Sequence, residues 1–219
     1  MTSPGTHSPA GARTGLFIAF EGGDGAGKST QAAAVQARLE AAGHAVLRTR
    51  EPGGTPIGEK LRSLVLDHGH GEIDARTEAL IFAASRAAHV QQVILPALER
   101  GEIVLCDRFI DSSVAYQGAG RELGIAAVRD INLWATASLL PDVTVLLDVA
   151  PNDGRDRRLA GEAAEDRLES EPDDFHGRIR AAFLELASAR PDEYLVLDAR
   201  TDRGALTDAI VKRIDGLLA

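Results

Sequence analysis

Residues 15–30 read GLFIAFEGGDGAGKST, and this stretch decides the fold. The run from Gly15 to Phe20 has the length and the continuous apolar character of a strand that is buried on both faces. A glycine-rich segment follows, and apolar side chains then recur at helical spacing, at Ala32, Val35, Leu39 and Ala42. The stretch therefore predicts a strand, a tight loop and a helix in direct succession.

The same alternation continues along the chain. Four further short apolar runs are separated by helical segments, the longest of which is 75–99; the runs lie at 44–49, 102–106, 143–148 and 193–198. Runs of this kind are typical of a parallel sheet covered on both faces, so we predict an α/β fold. The alternative is an α+β domain with an antiparallel sheet, and it is disfavoured because the two-residue turn signals of hairpins are missing.

The composition bounds the class of protein. With 219 residues, 44% of them hydrophobic, the chain has the bulk of one globular domain, and no apolar run approaches the roughly 20 residues of a membrane-spanning helix. The 24 basic and 33 acidic residues give a net charge of −9, which argues against general electrostatic binding of nucleic acid or of a membrane. The single cysteine, Cys106, forbids an internal disulfide and fits a reducing, cytoplasmic location.

Two segments differ from the rest of the chain. Residues 1–14 are rich in Thr, Ser, Pro and Gly without apolar periodicity, and we interpret them as a disordered tail before a single domain at 15–219. Residues 153–174 are dense in charge and poor in large apolar side chains. We expect this second segment to be mobile, to lie at the surface and to contribute little to the core.

The loop GGDGAGKS at 22–29 matches the phosphate-binding pattern G-x-x-x-x-G-K-[ST] between a predicted strand and a predicted helix. Its glycines allow backbone N–H groups to surround phosphate oxygens at the start of the helix. Lys28 would reach the outer phosphates of a nucleoside triphosphate, and Ser29 would bind Mg²⁺. The alternative is a glycine-rich turn without a ligand, and the complete match favours the nucleotide site.

Other motifs narrow the class of nucleotide-binding protein. A GTPase would carry the guanine-reading N-K-x-D, which does not occur around the only three lysines, Lys28, Lys60 and Lys212. A motor or transport ATPase would have a longer chain with additional nucleotide-sensing segments. The third predicted strand here ends in Asp107-Arg108, which suggests a metal-side carboxylate beside a clamp for a second phosphate. The alternative is an Asp–Arg surface pair.

Taken together, the motifs resemble those of the bacterial thymidylate kinases. The resemblance extends from Gly15 to the C-terminus and rests on FEGGDGAGKSTQ at 20–31, REPGGT at 50–55, DRF at 107–109, SS at 112–113 and AYQ at 115–117. It implies Mg²⁺-dependent transfer of the ATP γ-phosphoryl group to dTMP, giving dTDP for dTTP biosynthesis. It also implies a three-layer P-loop kinase fold with a five-stranded parallel sheet, a short lid at about 153–174 and a cytoplasmic homodimer.

The chemistry of such a kinase calls for arginines. Its acceptor is already an ionised phosphate, so the site needs positioning and charge neutralisation and no general base. Arg50 and Arg108 each end a predicted strand, at the sheet edge where open α/β folds bind ligands, and they suit the acceptor phosphate. Arg50 as an ordinary surface charge is the alternative for that residue.

The remaining acceptor-site residues follow from the resemblance. Phe82 and Arg86 lie four residues apart, so they share one helix face, and they match the positions that stack on thymine and read its O4. Tyr116 would pack against the sugar, and Asp24 would bind the 3′-hydroxyl or a Mg²⁺-bound water. Without the resemblance, Phe82 is more typical of core and Asp24 of a loop cap. Pro52 would shape the pocket wall through a cis bond after Glu51, or else stand in an ordinary turn.

The predicted site is therefore a defined set of residues. The predicted ATP-binding residues are Gly22, Gly23, Asp24, Gly25, Ala26, Gly27, Lys28, Ser29 and Thr30. The predicted dTMP-binding residues are Asp24, Arg50, Pro52, Phe82, Arg86, Arg108, Ser112, Ser113, Tyr116 and Gln117. The predicted catalytic residues are Lys28, Arg108, Arg158 and Asp24, and the predicted Mg²⁺ ligands are Ser29 and Asp107, directly or through water.

The lid is expected to supply one of these catalytic charges. Some relatives carry an arginine inside the phosphate-binding loop, and that position here is Gly25. We favour Arg158, with Arg155 and Arg157 as competing candidates, and expect Arg167 to orient the lid.

Two other functions stay open at this point. One is a kinase for dUMP, dCMP or a deoxynucleoside, and the other is a switch that binds ATP or GTP and signals by shape. Trp134 is interpreted as core or as a dimer contact.

Overall fold

The structure, a computed structural model, describes residues 14–159 and 166–218, excluding the side chains of 157–159. The predicted N-terminal tail, apart from Thr14, and the middle of the predicted lid lie outside the described residues. No helix within the described ranges is both long enough and apolar enough to cross a membrane.

Within the described residues, five parallel strands form one sheet, as predicted. Their order across the sheet is β2-β3-β1-β4-β5, and their bounds are β1 Leu16–Glu21, β2 Val46–Arg50, β3 Ile103–Asp107, β4 Val143–Asp148 and β5 Tyr194–Asp198. The central strand β1 pairs in parallel with β3 on one side and with β4 on the other. Parallel pairing throughout excludes the antiparallel alternative and confirms the α/β class.

Helices connect the strands and cover both faces. They are α1 Lys28–Ala41, α2 Pro56–Leu66, α3 Ala75–His89, α4 Leu95–Glu99, α5 Ile110–Ser113, α6 Ile125–Ala135, α7 Pro151–Leu159, α8 Asp173–Ala189 and α9 Arg203–Leu218. The predicted helix 75–99 is divided, because a π-helical turn at Val90–Ile94 separates α3 from α4. Pro96 lacks a backbone N–H and crowds the preceding turn, which gives a physical reason for the irregularity. A second π-helical segment, Val114–Gly120, follows α5.

Alternate residues of β1 enter two separate cores. Phe17 packs with residues of α3 and α8, whereas Ile18 and Phe20 pack with residues of α1 and α9. All three side chains are fully buried. Since successive strand residues point to opposite faces, the two cores lie on the two sides of the sheet. The arrangement is the predicted three-layer fold.

Burial agrees with one expectation and contradicts one interpretation. Within the described part of the segment 153–174, Leu168 is the one large apolar side chain that is buried, in the cluster that also holds Phe175. This is the small contribution to the core that the charged sequence predicts. Trp134 is 85% exposed in the single chain, so the core interpretation fails and the dimer-contact interpretation stays a prediction.

Candidate active site

A cleft of about 1120 Å³ opens at the carboxyl ends of β1 and β3. This is the sheet edge at which open α/β folds bind ligands. The cleft is lined by most of the predicted residues: Asp24, Gly25, Ala26, Gly27, Lys28, Ser29, Thr30, Arg50, Pro52, Phe82, Asp107, Arg108, Ser112, Tyr116 and Gln117. The predicted donor and acceptor sites therefore face one continuous space.

The phosphate-binding loop joins β1 to α1 as the sequence predicts. Gly22 has φ +134°, and a Cβ there would lie 2.3 Å from the Leu147 carbonyl oxygen, so the loop packs against the end of β4 at a position that only glycine fits. Lys28 is buried, and its Nζ donates to the carbonyl oxygens of Gly22 at 3.0 Å and of Gly23 at 2.9 Å. Burial, with repulsion from Arg108, lowers the pKa of Lys28 to about 8.

Ser29 and Asp107 lie together at the floor of the cleft. The Ser29 hydroxyl donates a very short hydrogen bond to Oδ2 of Asp107. A hydroxyl and a carboxylate are hard oxygen donors of the type that Mg²⁺ prefers, and both belong to the cleft lining beside the phosphate-binding loop. The donor set present therefore fits the predicted cation.

Arg108 stands at the centre of the acceptor side. Its guanidinium donates to the Tyr116 hydroxyl at 3.1 Å, to the Ser112 hydroxyl at 3.1 Å and to the Asp24 carboxylate. Tyr116 in turn donates to Asp24 at 2.6 Å, and the Arg108 guanidinium lies 5.0 Å from the Tyr116 ring centroid. The cluster joins the end of β3 to the phosphate-binding loop with a cation facing the cleft.

The REPGG turn supplies another wall of the cleft. The Glu51–Pro52 peptide bond is cis, which confirms the expectation from the resemblance. Arg50 donates to both oxygens of Glu59, at 2.9 and 3.0 Å, and its guanidinium lowers the pKa of Glu59 to about 2. Arg62 donates to the Pro52 carbonyl oxygen at 3.1 Å and also lines the cleft. Two arginines thus border this turn.

Arg86 lies behind the cleft wall. It is 2% exposed, and its guanidinium donates to Glu51 at 2.6 Å, to Ser113 at 2.9 Å, to the Phe109 carbonyl oxygen at 3.0 Å and to Asn132. Neither Arg86 nor Ser113 is among the described residues that line the cleft. Their contact with the base therefore stays a prediction.

The same network explains a buried trio that could be taken for a metal site. Ligand atoms of Glu51, His89 and Cys106 lie within 4.8 Å of one another. However, His89 Nδ1 already shares a hydrogen bond of 2.9 Å with Glu51, and its Nε2 lies 2.7 Å from the Thr49 hydroxyl. The guanidinium of Arg86 beside Glu51 would also repel a cation. We interpret the trio as part of a hydrogen-bonded support for the Pro52 turn.

A buried carboxylate connects the acceptor side to the predicted lid. Glu78 is fully buried and accepts hydrogen bonds from Gln117 at 2.9 Å, from Arg121 at 3.1 Å and from Arg167 at 2.5 Å. Arg167 also donates to the Val65 carbonyl oxygen at 2.9 Å. These bonds tie Arg167 to α2 and α3, and its expected role in orienting the lid stays a prediction.

The amino-terminal part of the predicted lid lies against the phosphate-binding loop. A Cβ on Gly25 would lie 2.2 Å from the Gly154 carbonyl oxygen, and a Cβ on Gly154 would lie 2.4 Å from the Asp24 carbonyl oxygen. A side chain at position 25 would overlap α7, so an arginine does not fit there in this arrangement. Arg155 pairs with Asp173 at 3.0 Å, whereas the side chains of Arg157 and Arg158 lie outside the described residues.

Residues 20–210 match the family model described as Thymidylate kinase. The chain belongs to the thymidylate kinase family. It is 53% identical over 206 residues to the thymidylate kinase of Clavibacter sepedonicus, covering 94% of this chain and 97% of that relative, and 51% identical over 205 residues to that of Cutibacterium acnes, covering 93% and 98%. A crystal structure of thymidylate kinase from Ehrlichia chaffeensis superposes with a TM-score of 0.74 at 30% identity, covering 91% of this chain and 98% of that one. The resemblance inferred from the motifs is confirmed.

Several residues in or around the cleft of this family member were not predicted from the sequence. Glu21 stood in a quoted motif without a role, although an acid at the end of an apolar strand was a usable signal. Glu78 had no local signal, because its partners Gln117 and Arg167 lie 39 and 89 residues away, and Arg62 belongs to no recognised motif. The cleft is also lined by Gln31 of α1 and by five residues of the C-terminal part, which no sequence motif marked: Ala199, Arg200, Thr201, Arg203 and Leu206.

Proposed function

We propose that the chain phosphorylates dTMP to dTDP with ATP, and that the whole reaction takes place in the single cleft. The observation that carries the proposal is the opening of the phosphate-binding loop and the cluster of Asp24, Arg108 and Tyr116 into the same space. A kinase that acts on a nucleotide must neutralise two phosphate chains side by side. The phosphate-binding loop is available for the phosphates of ATP, and Arg108 is available for the phosphate of the acceptor.

Gly22–Thr30 bind the phosphates of ATP. The backbone N–H groups of the loop and the positive end of α1 surround the phosphate oxygens. Lys28 exchanges its hydrogen bonds to the Gly22 and Gly23 carbonyl oxygens for phosphate oxygens, and the positive charge stabilises the transferring group.

Ser29 and Asp107 would hold Mg²⁺, directly or through a water. When bound, the cation neutralises phosphate charge and keeps the ATP phosphates in the geometry for transfer. The protein's share of this task is to keep the hydroxyl and the carboxylate side by side, which the contact between α1 and the end of β3 achieves.

Arg108 and Arg50 bind the phosphate of dTMP. Phe82 is 7% exposed and lines the cleft, so its ring offers an apolar surface for the thymine ring. Gln117 contributes a polar edge, Tyr116 borders the sugar, and Asp24 accepts from the 3′-hydroxyl or a Mg²⁺-bound water. Pro52 and Ser112 complete the wall, with Arg86 and Ser113 behind it.

The chemistry needs no general base, because the acceptor phosphate oxygen is already ionised near neutral pH. Lys28 and Arg108 neutralise the charge on the transferring group, and the lid brings a further arginine, Arg158, when it closes. Residues 153–174 form that lid, and Gly25 against Gly154 is the contact at which it meets the loop.

We further propose that two copies of the chain form a homodimer through α2, α3 and α6. Of the eight large hydrophobic side chains that are exposed among the described residues, five lie on these three helices, which pack beside one another: Ile57, Leu64, Leu80, Ile131 and Trp134. An 85% exposed tryptophan is costly in water, and a second copy of the same surface would cover it.

A coupled assay of ADP release tests the proposed reaction. ATP and Mg²⁺ are held constant while dTMP, dUMP, dCMP, dGMP and dAMP are offered in turn. We expect the highest kcat/KM with dTMP. ADP release that is independent of any monophosphate would overturn the kinase proposal, and a clear preference for another monophosphate would overturn the choice of substrate.

A further inference from the structure

Glu21 is a buried acid beside the proposed phosphate sites. It is the last residue of β1, immediately before the phosphate-binding loop, and its side chain is fully buried. Oε1 accepts hydrogen bonds from the backbone N–H of Phe109 at 2.8 Å and of Ser112 at 3.1 Å. Oε2 accepts from the Ser112 hydroxyl at 2.5 Å. One carboxylate therefore fixes both ends of the turn that follows Arg108.

That turn begins with an unfavourable backbone conformation. Arg108 has φ +70°, a left-handed backbone angle that residues other than glycine rarely adopt. Such a conformation persists when the surrounding contacts hold it in place. The Arg108 N–H donates to the Phe20 carbonyl oxygen at 2.9 Å, and the next two anchors, at Phe109 and Ser112, are both on Glu21. Strand β1 thus holds the turn on both sides of its strained residue.

A single hydroxyl connects Glu21 to the guanidinium. Ser112 donates its proton to Glu21 and accepts a hydrogen bond of 3.1 Å from Nη1 of Arg108. The direction of these bonds is set by the charges, since a carboxylate only accepts and a guanidinium only donates. An ionised Glu21 therefore orients the Ser112 hydroxyl so that its lone pairs face Arg108.

We propose that Glu21, in its ionised form, is a positioning residue for the acceptor phosphate, acting through Ser112 and the backbone of the turn to hold Arg108 toward the cleft. The proposal rests on the role of Arg108 in binding the phosphate of dTMP. Glu21 acts only through Ser112 and the backbone of the turn and does not itself contact ATP or dTMP.

The surroundings of Glu21 make its ionisation sensitive to pH. Burial and the nearby Asp111 raise the pKa of Glu21 to about 7, against the opposing effects of Ser112, Arg108 and the Phe109 N–H. Asp111 is itself paired with Arg190 and Tyr194. Lys28, Cys106 and Tyr194 also interact electrostatically with Glu21. A proton on Glu21 removes the charged acceptor of the Ser112 hydroxyl, so positioning weakens below neutral pH.

The test compares the wild-type chain with Glu21→Gln across pH. The amide has the shape of the acid and stays neutral, so it resembles the protonated form at every pH. We expect kcat/KM for dTMP to be about tenfold lower in the variant well above pH 7, and the ratio to approach one as the pH falls below it. Ionisation of dTMP itself cancels in this ratio. A ratio that is constant across pH, or that is one throughout, overturns the proposal.

Three further variants control for loss of charge, for failure to fold and for the role of Arg108. Glu185→Gln removes one negative charge from an exposed position of α8 and should leave the profile unchanged. Should Glu21→Gln fail to fold, Ser112→Ala deletes only the hydroxyl link, and a kcat/KM for dTMP within twofold of wild type would then overturn the proposal. Arg108→Lys separates the two claims: unchanged kcat/KM for dTMP refutes the role of Arg108, whereas a loss there without any effect of Glu21→Gln refutes only the role of Glu21.

Discussion

Arg108 and Asp24 form an ion pair that joins the carboxyl end of β3 to the phosphate-binding loop. Both side chains are mostly buried, with 17% and 13% of their surface exposed, yet both line the cleft. The ion pair therefore ties the residue proposed to bind the acceptor phosphate to the loop proposed to bind ATP.

Arg108→Lys keeps the positive charge but loses the forked donor that contacts Asp24, Ser112 and Tyr116. We expect kcat/KM for dTMP to fall about 10- to 100-fold, since hydrogen bonds to charged groups are lost. Steady-state kinetics with dTMP as the varied substrate measures the change. Arg38→Lys on the exposed face of α1 is the matched control, and an Arg108→Lys enzyme as active as that control would refute the assignment.

The lowered pKa of Lys28 predicts a pH dependence of ATP binding. Because its pKa is about 8 in the free protein, Lys28 is positively charged below that pH and loses its charge as the pH rises through it. Affinity for ATP should therefore decline above about pH 8, where the cation is lost. Calorimetric titration on both sides of that pH measures the affinity. Lys28→Met should bind ATP more weakly with a flatter pH profile, and an equal decline in this variant would contradict the interpretation.

The residues of the site differ in how well the sequence alone could place them. The positions of Lys28 and Ser29 in the cleft were predictable, because the phosphate-binding loop is a continuous motif in the sequence. The position of Arg108 was predictable because it directly follows an apolar strand. The Glu78 cluster was not, because its partners Gln117 and Arg167 lie 39 and 89 residues away and only the tertiary packing unites them. The buried position of Arg86 behind the cleft wall likewise involves Asn132, which belongs to a different helix, α6.

Glu78→Ala should destabilise the chain through the loss of one shared carboxylate. Arg167 would lose its buried carboxylate partner, Arg121 would keep only Glu171, and Gln117 would lose its acceptor. We expect a loss of about 3 kcal/mol in the free energy of unfolding, typical of a broken buried pair. Urea denaturation measures this loss. The exposed Glu185→Ala should change the same quantity by less than about 0.5 kcal/mol, and equal effects of the two substitutions would contradict the prediction.

Gly154→Ala should separate the lid from the phosphate-binding loop. The added Cβ would lie 2.4 Å from the Asp24 carbonyl oxygen, so α7 or the loop must shift. We expect kcat to fall about tenfold or more, because small displacements of catalytic groups are costly to the rate. Gly177→Ala in α8 meets no atom within 4 Å and serves as the control, with unchanged kcat. Unchanged kcat in Gly154→Ala would show that this contact has no part in turnover.

Trp134→Glu should separate the proposed homodimer. A charge at the centre of an apolar contact between two copies cannot be compensated by the same residue of the other copy. Light scattering after size-exclusion chromatography should give the mass of two chains for the wild type and of one for the variant. Leu218→Glu introduces the same charge at an exposed apolar position of α9 and should leave the mass unchanged. A wild-type chain that elutes with the mass of one copy would contradict the dimer.

Transfer of label from γ-labelled ATP tests the central claim most directly, because it follows the phosphoryl group itself. With dTMP and Mg²⁺ present, the account predicts that the label appears in dTDP, mole for mole with the ADP formed, and that Lys28→Met abolishes most of this transfer. Label recovered only as inorganic phosphate, or ADP formed without labelled dTDP, would contradict it.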